Sequence, residues 1–368
     1  MKAAKIPIQD FFLRKNLILP IVQKDKSLTF RECLYKAFDT FLSDLDKLSP
    51  KNLGLVSFSS DKKTIVNLIE DIKKAIDEYL DGYPSRAYES IDKAPYISAI
   101  LSVLGTGKYK ENTQFYRLRH KEDNFSNNKT ELFHIAFDIR GKVATQRYSI
   151  PGFPCLYVAN SIYVAWEELR RRPLSQIQAA RFESAKPLKF LDLVTEIYCA
   201  DKATIHATPE SVLWSYVKCW PLIAACSVKV ADDKASFKPE YIVPQLLLQK
   251  VRDEGKLDGI RFSSTHINLN DVKSKGKFYN LVIPVKDRKD KGHCDSLNSL
   301  FKMTEVVSWQ LLDAAVGNHK SNPIKISRTN VNVDRIEIIN GGVHPYEYSP
   351  FSNMEIYLNN ELKAEHII

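Results

Sequence analysis

The stretch RYSIPGFPCLYVANSIYVAWEE, residues 147–168, gathers the side chains best suited to chemistry. It holds Arg147, Tyr148, a Pro151-Gly152 turn, Tyr157 and the adjacent carboxylates Glu167 and Glu168. A guanidinium, ring surfaces and an acid suit a phosphorylated, ring-bearing ligand whose reaction generates positive charge. Arg147 could grip a diphosphate through two parallel hydrogen bonds, which an ammonium does less well. Its alternative is an aliphatic stem laid over apolar surface with the head in water. Tyr157 sits in an apolar run, where it either packs in the core or bounds a ligand ring. Glu167 and Glu168 follow one another on a helix, where successive side chains point about 100° apart. One can be functional and the other solvated, and spacing alone does not choose.

Further candidates lie outside this stretch. Arg117 in FYRLRH has the same two readings as Arg147, with Arg119 as a competitor. Ser264 ends the segment GIRFSS, and serine at a strand end ordinarily serves a turn or cap. No G-x-S-x-G elbow surrounds it, so it reads as a group that orients a ligand rather than as a nucleophile. His120, His134, His206 and His266 lack metal-ligand spacing and read as structural. No metal is expected. The six cysteines contain no C-x-x-C pair and read as buried free thiols of a reducing cytosol.

These residues need elements to position them. Phe30, Leu34, Ala37, Phe41, Leu45 and Leu48 recur at helical spacing, and Thr29 with Glu32 forms a capping box before them. A second helix is predicted over 62–80 and helical pattern continues to Leu104. The glycine-lysine segment LGTGKYK then marks a domain boundary. It is no phosphate-binding loop, because position 102 is not glycine and Tyr109 replaces Ser or Thr. Beyond it, strands are predicted at 132–139, 154–159, 188–193, 259–264 and 278–285, mixed with helices from Ser161 and over 244–254. Later come a helix over 303–315 and strands at 333–339 and 354–358. Such irregular mixing predicts an α+β fold, and no strand is followed by GxGxxG.

Bulk properties narrow the partners. At 44% hydrophobic and 26% charged, the chain has the composition of a soluble globular protein. Its formal charge of +9 favours phosphate-bearing ligands but forms no like-charged block, which argues against a dedicated nucleic-acid partner. No segment reads as a signal peptide or a membrane span, so a cytoplasmic protein is expected.

Taken in order, these motifs resemble the RES-domain family, named for an Arg, a Glu and a Ser. Tyr116-Arg117 matches its opening Tyr-Arg, and RYSIPGFPCLY matches its Pro-Gly segment and Leu-Tyr strand. Glu168 lies eleven residues past Tyr157, the family spacing, so the resemblance selects Glu168 over Glu167. GIRFSS places the family serine at Ser264, with Phe262 where Tyr is common. Tyr148-Ser149 departs from the frequent Trp-Asn. The resemblance covers roughly 112–285. It implies a split β-core related to ADP-ribosyltransferases, with NAD+ as substrate. The implied reaction is cleavage of the nicotinamide–ribose bond by hydrolysis or phosphorolysis, or mono-ADP-ribosylation of a protein. A non-catalytic, nucleotide-binding regulator is a third reading. Glu168, Arg117 and Ser264 would act catalytically, while Arg147, Tyr148, Tyr157 and Arg117 would bind the dinucleotide. Residues 1–108 resemble a HEPN-like helical domain without its nuclease motif, since no histidine precedes His120. Residues 109–300 would be the RES domain and 301–368 an extension. A toxin or defence effector is implied, with an antitoxin or other neutralising protein as partner and a homo-oligomer left open.

Overall fold

The computed structural model describes residues 6–14, 17–48, 55–104, 106–121, 128–267, 278–311, 335–339 and 342–368. They form two compact units that share the chain by threading. The first joins residues 1–106 to 145–150 and 191–257, and the second joins 107–144, 151–190 and 258–368.

The first unit is helical. Its Phe30–Leu45 helix starts at the anticipated capping box: the Thr29 hydroxyl accepts the Glu32 N–H at 3.2 Å, and a Glu32 carboxylate oxygen accepts the Thr29 N–H at 2.7 Å. The apolar face buries Leu34, Phe38 and Phe41 completely. Phe41 stacks on Trp220, with ring centroids 4.4 Å apart and planes 11° from parallel. Trp220 belongs to the Glu210–Cys226 helix, and its indole N–H donates to the Leu17 carbonyl at 3.2 Å. Full burial of two such rings contributes several kcal/mol at about 25 cal/mol per Å². Helix Ile242–Glu254 ends where Gly255 takes a left-handed φ of 64°.

A sheet organises the second unit. In chain order its strands are β1 (Thr106–Tyr109), β2 (Gln114–His120), β3 (Cys155–Ala159), β4 (Ile177–Ser184), β5 (Leu188–Leu193), β6 (Gly259–Ser263), β7 (Tyr279–Pro284), β8 (Phe301–Met303) and β9 (Val307–Ser308). A separate hairpin pairs β10 (Arg335–Ile339) with β11 (Gly342–Pro345), and β12 (Glu365–His366) closes the list. The spatial order is β1-β5-β6-β7-β3-β2-β4-β8-β12, with β9 also on β4. The overall class is α+β, as the alternation predicts.

Three ladders differ in a way that matters. β2 pairs with β4 through seven residue pairs and β3 with β7 through five, whereas β2 meets β3 only at Tyr116↔Ala159. The sheet therefore has a seam beside β3. One face carries the main apolar core, including Phe115, Phe133, Leu156, Phe190, Ile283 and Phe301. At the β6–β7 ladder, a Cβ on Gly259 would lie 2.0 Å from the Val282 carbonyl oxygen, so only glycine fits there.

Three local expectations are corrected. Residues 132–139 are not a strand: a short helix at Lys129–Leu132 and a 3-10 turn at Phe137–Lys142 deliver Leu132, Phe133 and Phe137 into the core. The segment 354–358 is part of the helix Pro350–Asn360, capped by Ser349, because Phe351, Met354 and Leu358 bury one helical face. Of the helix predicted over 303–315, Met303 ends β8 and Val307–Ser308 form β9 instead, 309–311 are helical, and 312–315 lie outside the described residues. The strand predicted at 333–339 is present over Arg335–Ile339, with 333 and 334 outside the described residues.

Residues beyond the predicted core participate in the sheet unit. β12 extends the sheet edge along β8. Helix Pro350–Asn360 packs its Phe351 ring against Tyr163 and Trp166, and buried Arg181 donates to the carbonyls of Leu358 at 3.1 Å and Leu362 at 2.9 Å.

Candidate functional site

The short helix Ile162–Glu168 carries both carboxylates of interest. Ser161 starts it, its hydroxyl accepting the Val164 N–H at 3.3 Å, and a Glu355 carboxylate oxygen accepts the Ile162 N–H at 2.7 Å. The helix ends in two consecutive left-handed residues, Arg170 at φ 59° and Arg171 at φ 52°. Such conformations cost non-glycine residues of order 1–3 kcal/mol each. The fork of Arg171 offsets this cost.

Glu167 and Glu168 have different surroundings. Glu167 is buried, and Arg171 clasps it with Nη2 at 2.7 Å and Nε at 3.1 Å from both oxygens. The same guanidinium donates to the Glu337 carbonyl at 2.9 Å and lies over the Trp166 ring. Glu167 thus fastens the helix end to β10. The Glu168 side chain retains 36% of its exposure. Its Oε1 accepts the Ser264 hydroxyl at 2.7 Å and the Asn280 amide at 2.9 Å, while Oε2 stands 3.9 Å from His266 Nε2.

Strand register explains this convergence. Tyr157 opposes Val282, Ala159 opposes Asn280, and Asn280 opposes Phe262. Opposed residues share a sheet face, so Tyr157, Asn280 and Phe262 lie together, away from the face of Leu156 and Ile283. Ser264 follows at the end of β6, 1% exposed, and its oxygen also accepts the His266 N–H at 3.2 Å.

Arg117 occupies the seam. Alternation along β2 sets it on the Phe115 face, and its guanidinium reaches across to the Tyr157 carbonyl at 3.0 Å. That carbonyl lies where the β2–β3 ladder has lapsed, so the side chain supplies the missing donor. Burial, then repulsion from Arg119, lowers the Arg117 pKa to about 10, which leaves it cationic at neutral pH.

Arg147 and Tyr148 belong to the helical unit. Arg147 is 8% exposed, donates to the Cys226 carbonyl at 3.2 Å and sits over the Tyr241 ring at 5.2 Å. Tyr148 is fully buried, and burial raises its pKa well above the ordinary phenol range. The structure therefore brings Glu168 and Ser264 into direct contact, with Tyr157 on the same sheet face as Asn280, sets Arg117 on the opposite face, and gives Arg147 packing partners in the other unit.

Two neighbours of Glu168 are not among the residues expected at the site: Asn280, and His266, which the sequence presents as structural. Asn280 was visible as the one amide inside the apolar run YNLVIP, at a position where a strand buries its side chains. His266 offered no comparable signal, because its proximity to Glu168 depends on how the chain leaves β6. Among the described residues, no group of three or more His, Cys, Asp or Glu could hold a metal ion. Among them, too, no helix is long and apolar enough to cross a membrane. Cys155, Cys219, Cys226 and Cys294 are buried free thiols, and burial pushes Cys219 and Cys226 up to about 12.

Known proteins resemble the chain at two levels. Residues 114–288 match the RES domain. The chain is also similar to the protein named "Putative toxin YopC" of Bacillus subtilis (strain 168), at 33% identity over 369 residues, covering 96% of this chain and 80% of that one. No solved structure gives a significant match.

Proposed function

Because this chain belongs to the RES-domain family, we propose that it consumes NAD+ by breaking the bond between nicotinamide and ribose. The observation that carries the reading is the Glu168 carboxylate, held through one oxygen by Ser264 and Asn280 and partly open to solvent. Glycosidic cleavage of this kind passes through an oxocarbenium-like sugar, which a fixed carboxylate stabilises. Glu168 engages the ribose 2′-hydroxyl and faces the developing positive charge. The C–N electron pair leaves with nicotinamide, and a water oxygen or a phosphate oxygen bonds to the anomeric carbon. With water, the products are ADP-ribose, nicotinamide and a proton.

The other roles follow the family pattern. Ser264 orients the carboxylate and the substrate, and Tyr157 bounds the nicotinamide ribose; Arg117, a pyrophosphate ligand by the resemblance alone, lies on the opposite sheet face, where it braces the β2–β3 seam. Arg147 and Tyr148, dinucleotide-binding by the resemblance alone, are buried in the helical unit and take no part in this proposal. The single-pair β2–β3 ladder supports the split β-core of the ADP-ribosyltransferase relatives. The helices within residues 1–108 serve as scaffold or partner surface. Toxicity, restrained by a neutralising protein, follows from similarity to the relative named as a toxin.

Incubating purified protein with NAD+ and following free nicotinamide by chromatography tests the proposal. Glu168→Gln should lower the rate at least ~100-fold, the scale of a lost electrostatic transition-state group. Unchanged release in that variant overturns the assignment. Labelled NAD+ that marks a protein band, in place of small products, would show a transferase.

A further inference from the structure

Both donors that hold Glu168 act on the same oxygen. The Ser264 hydroxyl and the Asn280 amide meet at Oε1, at 2.7 and 2.9 Å. They arrive from different directions, one from the end of β6 and the other from within β7. Asn280 is 6% exposed, between Phe262 on one neighbouring strand and Ala159 on the other. An amide buried in an apolar strand is costly unless its hydrogen-bonding groups are used. Leucine or valine would suit the strand better than asparagine. The amide donor is directed at Glu168.

We propose that Asn280 is a positioning residue for Glu168, holding Oε1 so that Oε2 is the oxygen offered to a ligand. The inference rests on Glu168 being the acting carboxylate. A single donor would let the carboxylate plane rotate about its last bond, whereas two donors from separate strands fix it.

The charged and titratable surroundings are few. His266 Nε2 stands 3.9 Å from Oε2 after β6. Tyr157 shares the sheet face on β3. On the same helix Glu167 is paired with Arg171, and Arg170 follows it. On the packed helix Pro350–Asn360, Glu355 accepts the Ile162 N–H and the Tyr346 hydroxyl. Asn280 is the neutral member of this set that touches Oε1 from the sheet.

Two substitutions separate the electrostatic role from simple packing. Asn280→Asp keeps the shape and sets a second carboxylate against the first, and Asn280→Leu removes polarity. The Glu168 carboxyl carbon is followed by NMR in protein labelled with ¹³C-glutamate, its signal identified by loss in Glu168→Gln. At pH 7 that signal should move and broaden in Asn280→Leu and in Asn280→Asp, because a carboxylate with one donor left turns about its last bond. kcat should fall about tenfold with KM little changed, as for an interaction felt in the transition state. If either variant fails to fold, Asn280→Ser, smaller and too short to reach Oε1, takes its place in the same spectrum. Folded variants whose Glu168 signal keeps the wild-type position and width would overturn the proposal. The spectrum requires no turnover, so a protein that releases no nicotinamide would defeat the proposed reaction while this test still gives its own answer.

Discussion

Ser264→Ala isolates the shortest contact to the candidate carboxylate. The hydroxyl is buried, lies 2.7 Å from Glu168 Oε1 and accepts the His266 N–H at 3.2 Å. A hydrogen bond to a charged group contributes about 1.5–3 kcal/mol. Asn280 still holds the same oxygen in the variant, so the lower part of that range applies, about 1.5–2 kcal/mol. At 1.36 kcal/mol per factor of ten, nicotinamide release should slow about 10- to 30-fold. The informative assay is a double-mutant cycle with Glu168→Gln, reading kcat/KM in all four proteins. Once the carboxylate is gone the hydroxyl has no charge to hold, so Ser264→Ala should cost less than about threefold in that background. Equal losses in both backgrounds, with a coupling energy inside about 0.3 kcal/mol, would refute the idea that Ser264 acts through Glu168.

Two other outcomes test the frame around the site. Arg171→Met leaves buried Glu167 without its partner and should destabilise the protein by about 2–4 kcal/mol in urea unfolding, below the full buried-pair figure because Arg171 is partly exposed. Glu168→Gln should shift the same midpoint by less than about 0.5 kcal/mol, and equal shifts would remove the distinction between the two carboxylates. His134 accepts the Cys294 N–H at 2.8 Å on one ring nitrogen and bonds the Ile135 carbonyl on the other, and burial drops its pKa from 6.5 to about 4. Its folded state binds a proton less readily than the unfolded chain. The associated stability is present above pH 6.5 and is lost as the pH falls toward about 4, up to roughly 3 kcal/mol, whereas His134→Asn should show a flatter dependence across this window.

Much of the architecture was legible where local signals act alone. The Thr29–Glu32 box and the apolar spacing that follows it announce a helix without help from distant residues. The strands at 155–159, 259–263 and 279–284 were equally plain, being short apolar runs bounded by turns. The reading failed where burial came without regular backbone. Phe133 and Phe137 enter the core from turns, and their apolar density imitates a strand. In 354–358 the short run of Met, Ile, Tyr and Leu fits either period, and the cap that decides for a helix, Ser349, lies upstream of it. Site residues followed the same division. Glu168 and Ser264 were identifiable by type and order, but their contact depends on β7 passing between them in the fold. Arg147 shares a sequence stretch with Glu168, yet a crossing of only six residues, 145–150, carries it into the other unit. Adjacency along a chain does not survive such threading.

That threading has a consequence for synthesis. The helical unit needs residues 191–257, including Trp220, to cover Phe38 and Phe41. A ribosome adding about 5–20 residues per second takes roughly 8–30 s to travel from residue 106 to residue 257. During that interval the first helices emerge with their ring-bearing face unmatched, exposed to whatever binds greasy surfaces in the cell. Asn280 and the rest of β7 appear later still, so a nascent chain cannot hold its acidic centre in order until most of the polypeptide has been made.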